Sequence, residues 1–384
     1  MSKLIIQNGN MCELDLPLKF AQKLYNEFAI RHPNAFYLRT RQRGMQNWDG
    51  KIHYITKTGQ FKIGLLPKVY DMCIEMGIKP KVVDMRQPFP KVSKVVTNIG
   101  KYKLRPEQEK AVKSVINNRV GDTPFHIGVL DYTVNAGKTL IMSSLYLTYK
   151  KQLKTLLITN DSDWLNQARE EFKQYLPGED ITFVQGKVLN WSNFTIGMVQ
   201  SISRNMRFYQ KELSQIDMVL VDEADQGGSK QYQNVITRLF NTRIRIGLSG
   251  TIYMSKLAKD KVKNMNLECF FGKVIAEFKL KDSIKKGYST KTIVKMVPGK
   301  PWYGNWESDC ISYKEIYDDS ITENNTAWTM AYNRLRWNIN QGRYPALVVC
   351  KHIAHCENLY KFFKKKLGDA YNIAYVHVNT PSKL

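Results

Sequence analysis

Five short apolar runs constrain the fold of this chain more than any other feature: FHIGVL (125–130), TLLIT (155–159), FTIGMV (194–199), IDMVLV (216–221) and RIRIGL (243–248). They are rich in β-branched residues, and amphipathic stretches long enough for helices separate them. Strands that are apolar on both sides of the pleat belong in a sheet covered on both faces. Strands alternating with helices pair in parallel, because each crossover returns the chain to the same end of the sheet. The central part of the chain is therefore predicted to be α/β, a parallel sheet with helices on both sides.

Such sheets bind ligands beyond the carboxyl ends of their strands. In DYTVNAGKTL (131–140), Gly137, Lys138 and Thr139 fall between the first run and the helical stretch TLIMSSLYL. A phosphate loop needs that sequence of types. Backbone N–H groups and a helix N-terminus face the phosphates, the lysine reaches the β and γ oxygens, and the hydroxyl ligates Mg²⁺. Tyr132 and Asn135 stand where glycine or a small residue is usual. Asn accepts positive φ better than most residues. A chance helix start would look the same, so a second motif decides. IDMVLVDEADQ is an apolar strand ending in Asp222 and Glu223, 84 positions after Lys138. A carboxylate at a strand tip can hold Mg²⁺ through water, and its neighbour can act as general base on the attacking water. An isolated acidic pair reads as a solvated loop; two complementary motifs at two strand ends read as a nucleoside triphosphate site.

Charge sets the class of partner. The net charge is +24 and aromatic residues make up 11% of the chain, which suits a polyanion with bases to stack on. Lys and Arg outnumber Asp and Glu 15 to 7 in residues 1–93, 27 to 18 in 94–280 and 16 to 9 in 281–384. The excess is spread over folded segments, as extended contact with a phosphate backbone requires. Charge alone would equally suit a membrane-surface or ribosomal protein. No apolar run approaches the roughly 20 residues of a membrane span, and the start, MSKLIIQNGNMCELD, turns polar too early for a signal peptide. An intracellular chain is expected. The six cysteines form no Cys-x-x-Cys pair and read as reduced thiols. The cluster CKHIAHC (350–356) gathers Cys350, His352, His355 and Cys356, but its spacing matches no zinc pattern. A strand end followed by a helical turn explains it.

The proline-containing QPFPKVSKVVTNIGKYK (87–103) reads as a linker. Before it, PLKFAQKLYNEF places Leu18, Ala21, Leu24, Tyr25 and Phe28 on one helical face. AFYLRTRQR reads as a strand with Tyr37, Arg39, Arg41 and Arg43 on one side. NWDG and KTGQ are turns around the strand KIHYIT, FKIGLL is a third strand, and a short helix covers Val69–Met76. From residue 281 the theme recurs: PALVVC a strand, a helix striped by Cys356, Leu359, Tyr360, Phe363 and Leu367, and NIAYVHV the next strand.

The order of motifs resembles the superfamily 2 helicases. YKLRPEQEKAV is similar to their adenine-recognising segment, which would make Gln108 the reader, with Arg105 in its usual company. TVNAGKT resembles motif I, TLLITNDSDWLNQARE motif Ia, FTIGMVQSI motif Ib, DEAD motif II, RIGLSGT motif III and PALVVCKH motif IV. GMQNWDGKIHYI resembles the N-terminal domain of the UvsW-type helicases, which implies a branch-migration or recombination helicase of a large T-odd phage.

This resemblance implies an N-terminal DNA-binding domain over 1–93, a RecA-like, ATP-binding domain over 94–280 and a second RecA-like domain over 281–384. It implies ATP and Mg²⁺ as cofactors. Asn135, Ala136, Gly137, Lys138 and Thr139 would bind the nucleotide with Arg105 and Gln108. Thr139 and Asp222 would hold Mg²⁺, and Lys138, Asp222 and Glu223 would carry catalysis. Ser249 and Thr251 would couple hydrolysis to DNA movement. For DNA the candidates are Arg39, Arg41, Arg43, Trp48 and Lys51. The basic strand reads equally as a solvated, charge-protected edge, and Trp48 as an anchor of its own turn. The implied partner is branched or forked DNA and the implied state a monomer in the host cytoplasm. The chain departs from the pattern in motif I, at Asn160 where motif Ia usually has proline, and in ending before motifs V and VI with their arginine finger, so a fragment of a longer protein is expected. Two other readings remain open: a double-strand translocase or restriction-system motor, and a basic architectural DNA-binding protein with a dead nucleotide site.

Overall fold

The apolar runs become the middle of a seven-stranded sheet. In the computed structural model, which describes residues 2–377 apart from 42–43, 91, 93, 150–151, 189–190, 253–257, 292–311 and 344, the chain divides into two compact units, Met1–Lys291 and Thr292–Leu384.

The first unit begins with a small four-stranded sheet in the order β5-β2-β1-β6, made of β1 (Lys3–Ile6), β2 (Met11–Asp15), β5 (Gln60–Lys62) and β6 (Lys81–Asp84). A two-stranded ribbon pairs β3 (Ala29–Arg31) with β4 (Lys51–His53). Helices α1 (Leu18–Glu27), α2 (Ala35–Arg41) and α3 (Leu66–Glu75) connect them. Leu24 and Phe28 are buried on the α1 face, whereas Leu18, expected beside them, is exposed.

Two sequence expectations fail here. AFYLRTRQR is not a strand: Ala35–Arg41 is helical, with Ala35 buried and Leu38 half-buried. Those two apolar residues lie three apart, the helical spacing, while the alternation that suggests a strand runs through exposed polar positions that tertiary packing does not read. FKIGLL is a strand only to Lys62. Ile63–Leu65 form a 3₁₀ turn that feeds α3 through Pro67, a residue suited to a first helical turn.

The segment between Asp84 and α4 (Pro106–Ile116) is packed rather than free. Val92, Val95 and Val96 lie against the core of the large sheet, and β7 (Asn98–Ile99) pairs with β8 (Tyr102–Lys103). After α4 a short hairpin of β9 (Arg119–Val120) and β10 (Thr123–Pro124) precedes the large sheet. Its strands are β11 (Ile127–Tyr132), β12 (Thr155–Thr159), β13 (Ile181–Val184), β14 (Phe194–Met198), β15 (Met218–Asp222), β16 (Ile244–Ser249) and β17 (Val274–Phe278). They run β13-β14-β12-β15-β16-β11-β17 and every pairing is parallel.

Alternate residues face opposite cores, as a period of two requires. Leu157, Leu220 and Ile246 join the core under α4, α5 (Lys138–Tyr149) and α6 (Ser162–Tyr175). Ile158, Val219 and Val221 join the other. There they meet α7 (Val199–Arg204), α9 (Lys230–Ile236) and α10 (Ala258–Phe271), while α8 (Gln210–Ser214) and α11 (Leu280–Lys285) complete the unit. That second core is continuous with the small sheet, since Leu4, Ile6, Cys12 and Phe61 belong to it.

The second unit has α12 (Tyr313–Tyr317), α13 (Asn325–Asn340) and α14 (Ile353–Leu367). Leu359, Phe363 and Leu367 are its buried core on the expected α14 stripe. The expected strands PALVVC and NIAYVHV are not formed: among the described residues of this unit there is no strand, and Leu347 and Val349 are exposed. An apolar run becomes a strand only when a neighbour accepts its N–H and C=O groups, and no ladder forms along the described residues of either segment. His352 stands at the N-cap position of α14 without a side-chain capping bond, and no group of three or more His, Cys, Asp or Glu among the described residues could hold a metal ion. No helix of the described residues is long and apolar enough to cross a membrane.

Candidate nucleotide site and nucleic-acid face

The loop between β11 and α5 is shaped by two residues with positive φ. Asn135 has φ 62° and Gly137 φ 73°, so the position where the pattern lost a glycine is occupied by one of the few side chains that tolerate this region. Gly137 has a second reason to be glycine: a Cβ there would overlap the side-chain amide of Gln108. That amide is buried, and both its oxygen and its nitrogen are engaged. Its oxygen accepts from the Arg105 N–H at 2.8 Å, capping α4, and its nitrogen donates to the Ala136 carbonyl at 2.8 Å. Arg105 reaches the same loop, donating to the Asn135 carbonyl at 3.1 Å, while its guanidinium lies 4.2 Å from the centre of the Tyr288 ring. Tyr132 is buried, and its hydroxyl donates to the Glu107 carbonyl at 2.8 Å. The tyrosine in the first glycine position thus packs inward under the loop.

Lys138 opens α5 and Thr139 follows it. The Lys138 Nζ is 3.4 Å from Glu223 Oε1 and 3.9 Å from Asp222 Oδ1, so the two sequence motifs meet in space. Asp222 is the last residue of β15 and 3% exposed. Burial pushes its carboxyl up to about 6, against the opposing pull of the Lys138 ammonium. Its buried Oδ1 has no hydrogen-bond partner. A buried anionic oxygen left without a donor is costly and fits a cation. Mg²⁺ takes few protein ligands and keeps water and substrate phosphate oxygens, so one carboxylate and a hydroxyl such as that of Thr139, at the helix start, could supply the protein share. Glu223 is held in the left-handed region, φ 50° and ψ 50°. A glutamate gains nothing locally from that conformation, and strain of this kind gathers at functional sites.

Ser249 ends β16 and is fully buried. Its hydroxyl donates to Asp225 Oδ1 at 3.0 Å, and the Thr251 N–H donates to Ser249 Oγ at 3.2 Å. The two expected coupling residues therefore touch each other and the last acid of DEAD. Asp225 is not singled out by sequence reasoning although it is the fourth letter of that motif. Nor are Tyr288 and Lys286, the latter paired with Glu107 at 2.7 Å; with separations near 180 positions, no local pattern signals them.

The DNA candidates are split. Arg39 and Arg41 are exposed on α2 and Lys51 is exposed at the start of β4, while Arg43 lies outside the described residues. Arg39 and Lys51 line one cleft of about 440 Å³ together with Arg31, Phe36, Thr40 and Gln46. Phe36 and Tyr37 are exposed beside them, and the Arg41 guanidinium lies 4.9 Å from the Tyr37 ring centre. The Trp48 indole N–H donates to the Lys51 carbonyl at 2.9 Å and its ring meets His32 edge-on at 5.7 Å, which pins its own turn.

The family model of the type III restriction enzyme res subunit matches residues 101–254, the span from the β7–β8 hairpin to motif III. Over 356 residues, 85% of this chain, the sequence is 20% identical to the ATP-dependent DNA helicase UvsW of Enterobacteria phage T4. The chain spans 66% of that relative's length. Two crystal structures of UvsW from the same phage share the fold: one has a TM-score of 0.55 at 21% identity, covering 72% of this chain and 99% of its own. The other has a TM-score of 0.56 at 19% identity, covering 95% and 73%. The likeness to UvsW-type superfamily 2 phage helicases that the order of motifs implied is borne out by sequence and by fold, including the RecA-like parallel sheet beside a small N-terminal one.

Proposed function

We propose that the chain is the motor of an ATP-dependent DNA helicase that remodels branched DNA, by Holliday-junction migration and fork regression, in phage recombination, repair and replication. The observation that carries this is the meeting of Lys138, Asp222 and Glu223 at the carboxyl edge of the sheet, with Ser249 tied to Asp225 one strand away. In this reading residues 1–93 bind DNA, 94–280 bind ATP and 281–384 belong to the second motor domain, and the protein acts as a monomer in the host cytoplasm.

The loop from Asn135 to Thr139 would take the phosphates, with Arg105 and Gln108 on the adenine side supporting its backbone. Lys138 would neutralise charge on the transferring phosphoryl group, and Glu223 would accept the proton of the attacking water. Thr139 and Asp222 would hold Mg²⁺, which would supply Lewis-acid stabilisation of the phosphate oxygens. Ser249 and Thr251 would pass the state of the acidic strand tip to the DNA side through Asp225.

The match of residues 101–254 to a restriction-subunit family favours a second reading, a motor that tracks along linear duplex. ATPase rates with single-stranded, linear duplex, forked and four-way DNA separate the two. Branched DNA is expected to stimulate most; strongest stimulation by linear duplex overturns the branched-DNA assignment, and no turnover with any of them leaves the architectural protein.

The N-terminal face makes a separate expectation. Changing Arg39, Arg41 and Arg43 together to Ala should weaken binding to forked DNA and flatten its salt dependence. The slope of log K against log salt should fall by roughly 0.9 for each phosphate that is no longer neutralised. An unchanged slope assigns α2 to a solvated surface.

A further inference from the structure

Arg245 is a buried cation that the nucleotide chemistry does not use. It lies in the middle of β16 with no exposed surface. Its guanidinium donates to three neutral acceptors: the Phe270 carbonyl at 3.1 Å, the Gly9 carbonyl at 2.6 Å and Asn10 Oδ1 at 2.8 Å. No carboxylate among the described residues pairs with it, and its Nε is buried without a hydrogen-bond partner. Burial lowers it to about 9. Removing a charge from water is costly. A residue held at that cost, with no acid to offset it, is poorly explained by stability.

Its contacts join two parts of the fold. Gly9 and Asn10 form the turn between β1 and β2 of the small sheet. Asn10 also donates to the Thr237 carbonyl at 3.1 Å and Gly9 to the Phe240 carbonyl at 2.6 Å. A Cβ on Gly9 would stand 2.7 Å from the carbonyl oxygens of Leu239 and Thr242, so the turn is seated as closely as backbone allows. Four residues after Arg245, the same strand carries Ser249.

Beyond Thr251, N-terminal elements beside the small sheet meet α10. Tyr54 donates to Asn266 Oδ1 at 3.0 Å, Lys68 pairs with Glu268 at 3.1 Å, and Gly64 packs directly on the Glu268 and Cys269 carbonyls of α10. The motif III strand is thus tied to the small sheet through Arg245, and the helix that follows it, α10, to other N-terminal residues.

We propose that Arg245 is a positioning residue that locks the N-terminal sheet to the motif III strand, so that DNA held by residues 1–93 sets the position of Ser249 and Thr251 at the nucleotide site. The inference rests on the motor reading above and adds the route by which DNA reaches the site. Coupling needs an element whose arrangement both sites bias; β16 is that element.

The test compares Arg245→Met, which keeps volume and removes the charge, and the milder Asn10→Ala with the unmodified chain. ATP hydrolysis is measured with and without forked DNA, alongside DNA affinity and melting temperature. Both variants should keep DNA-free hydrolysis and DNA affinity while the stimulation by DNA falls, by about tenfold in Arg245→Met. Full stimulation in the folded variants overturns the proposal. So does a proportional fall of stimulated and unstimulated rates, which a merely structural residue would give. If Arg245→Met does not fold, Asn10→Ala alone decides between loss and retention of stimulation. An unmodified chain that hydrolyses ATP at one rate with and without DNA sinks the motor reading instead, before any variant is compared.

Discussion

Lys138→Ala should abolish ATP hydrolysis and leave DNA binding almost unchanged. The Lys138 Nζ stands within 4 Å of both acids at the end of β15, and in the proposed site it is the cation nearest the phosphates. Removing such a group from a preorganised site costs about 10²–10³-fold in turnover, and more when the charge is also what binds the nucleotide. The DNA surface is a different matter. It draws on an excess of basic residues spread over the chain, and the loss of one ammonium at the sheet edge changes the field little. Phosphate release and filter binding read the two halves separately. Near-native hydrolysis in the variant would remove the nucleotide site from this loop. Lost DNA affinity together with lost hydrolysis would point to a folding defect, which a melting curve identifies.

The site is more legible in the sequence than its surroundings, for a physical reason. Strands β12, β15 and β16 are buried throughout, so their composition shows them whatever the neighbours do, and chemistry at a strand's carboxyl end follows from the parallel sheet. Even the exception is readable: Asn135 takes the positive φ that a lost glycine would have supplied.

What cannot be read depends on partners far away in sequence. The α2 segment reads as a strand because its arginines alternate, but its burial is set by Ala35 and Leu38 alone. FKIGLL breaks at Ile63 because Gly64 must press on α10, some 200 positions later. PALVVC and NIAYVHV have the composition of strands and no neighbour to pair with among the described residues. Gln108 is the subtlest case. Its place beside the nucleotide loop follows from the motif, while its hydrogen bonds to Arg105 and Ala136 do not, because a motif names a residue and not its hydrogen bonds.

Asp222→Asn should make the protein more stable near neutral pH and nearly inactive. The carboxyl is raised from its ordinary value near 3.8 to about 6, by burial first, with Lys138 working the other way. Below 3.8 it is neutral in both the folded and unfolded chain. Above 6 the folded protein must keep a charge out of water that the unfolded chain keeps in it. The stability contributed by protonation is therefore lost as pH rises from 3.8 through 6, by up to about 3 kcal/mol. Asparagine has no such titration. Without nucleotide or metal, the melting temperature of the variant should exceed that of the unmodified chain at pH 7 and converge with it near pH 4. Hydrolysis moves the opposite way. Only the ionised carboxylate can hold Mg²⁺, so activity of the unmodified chain should climb as pH passes 6, and the variant should lose at least about 10²-fold at every pH. Paired melting and phosphate-release measurements from pH 4 to 8 check both halves. Stability and activity falling together would mean that Asp222 holds the fold rather than the metal.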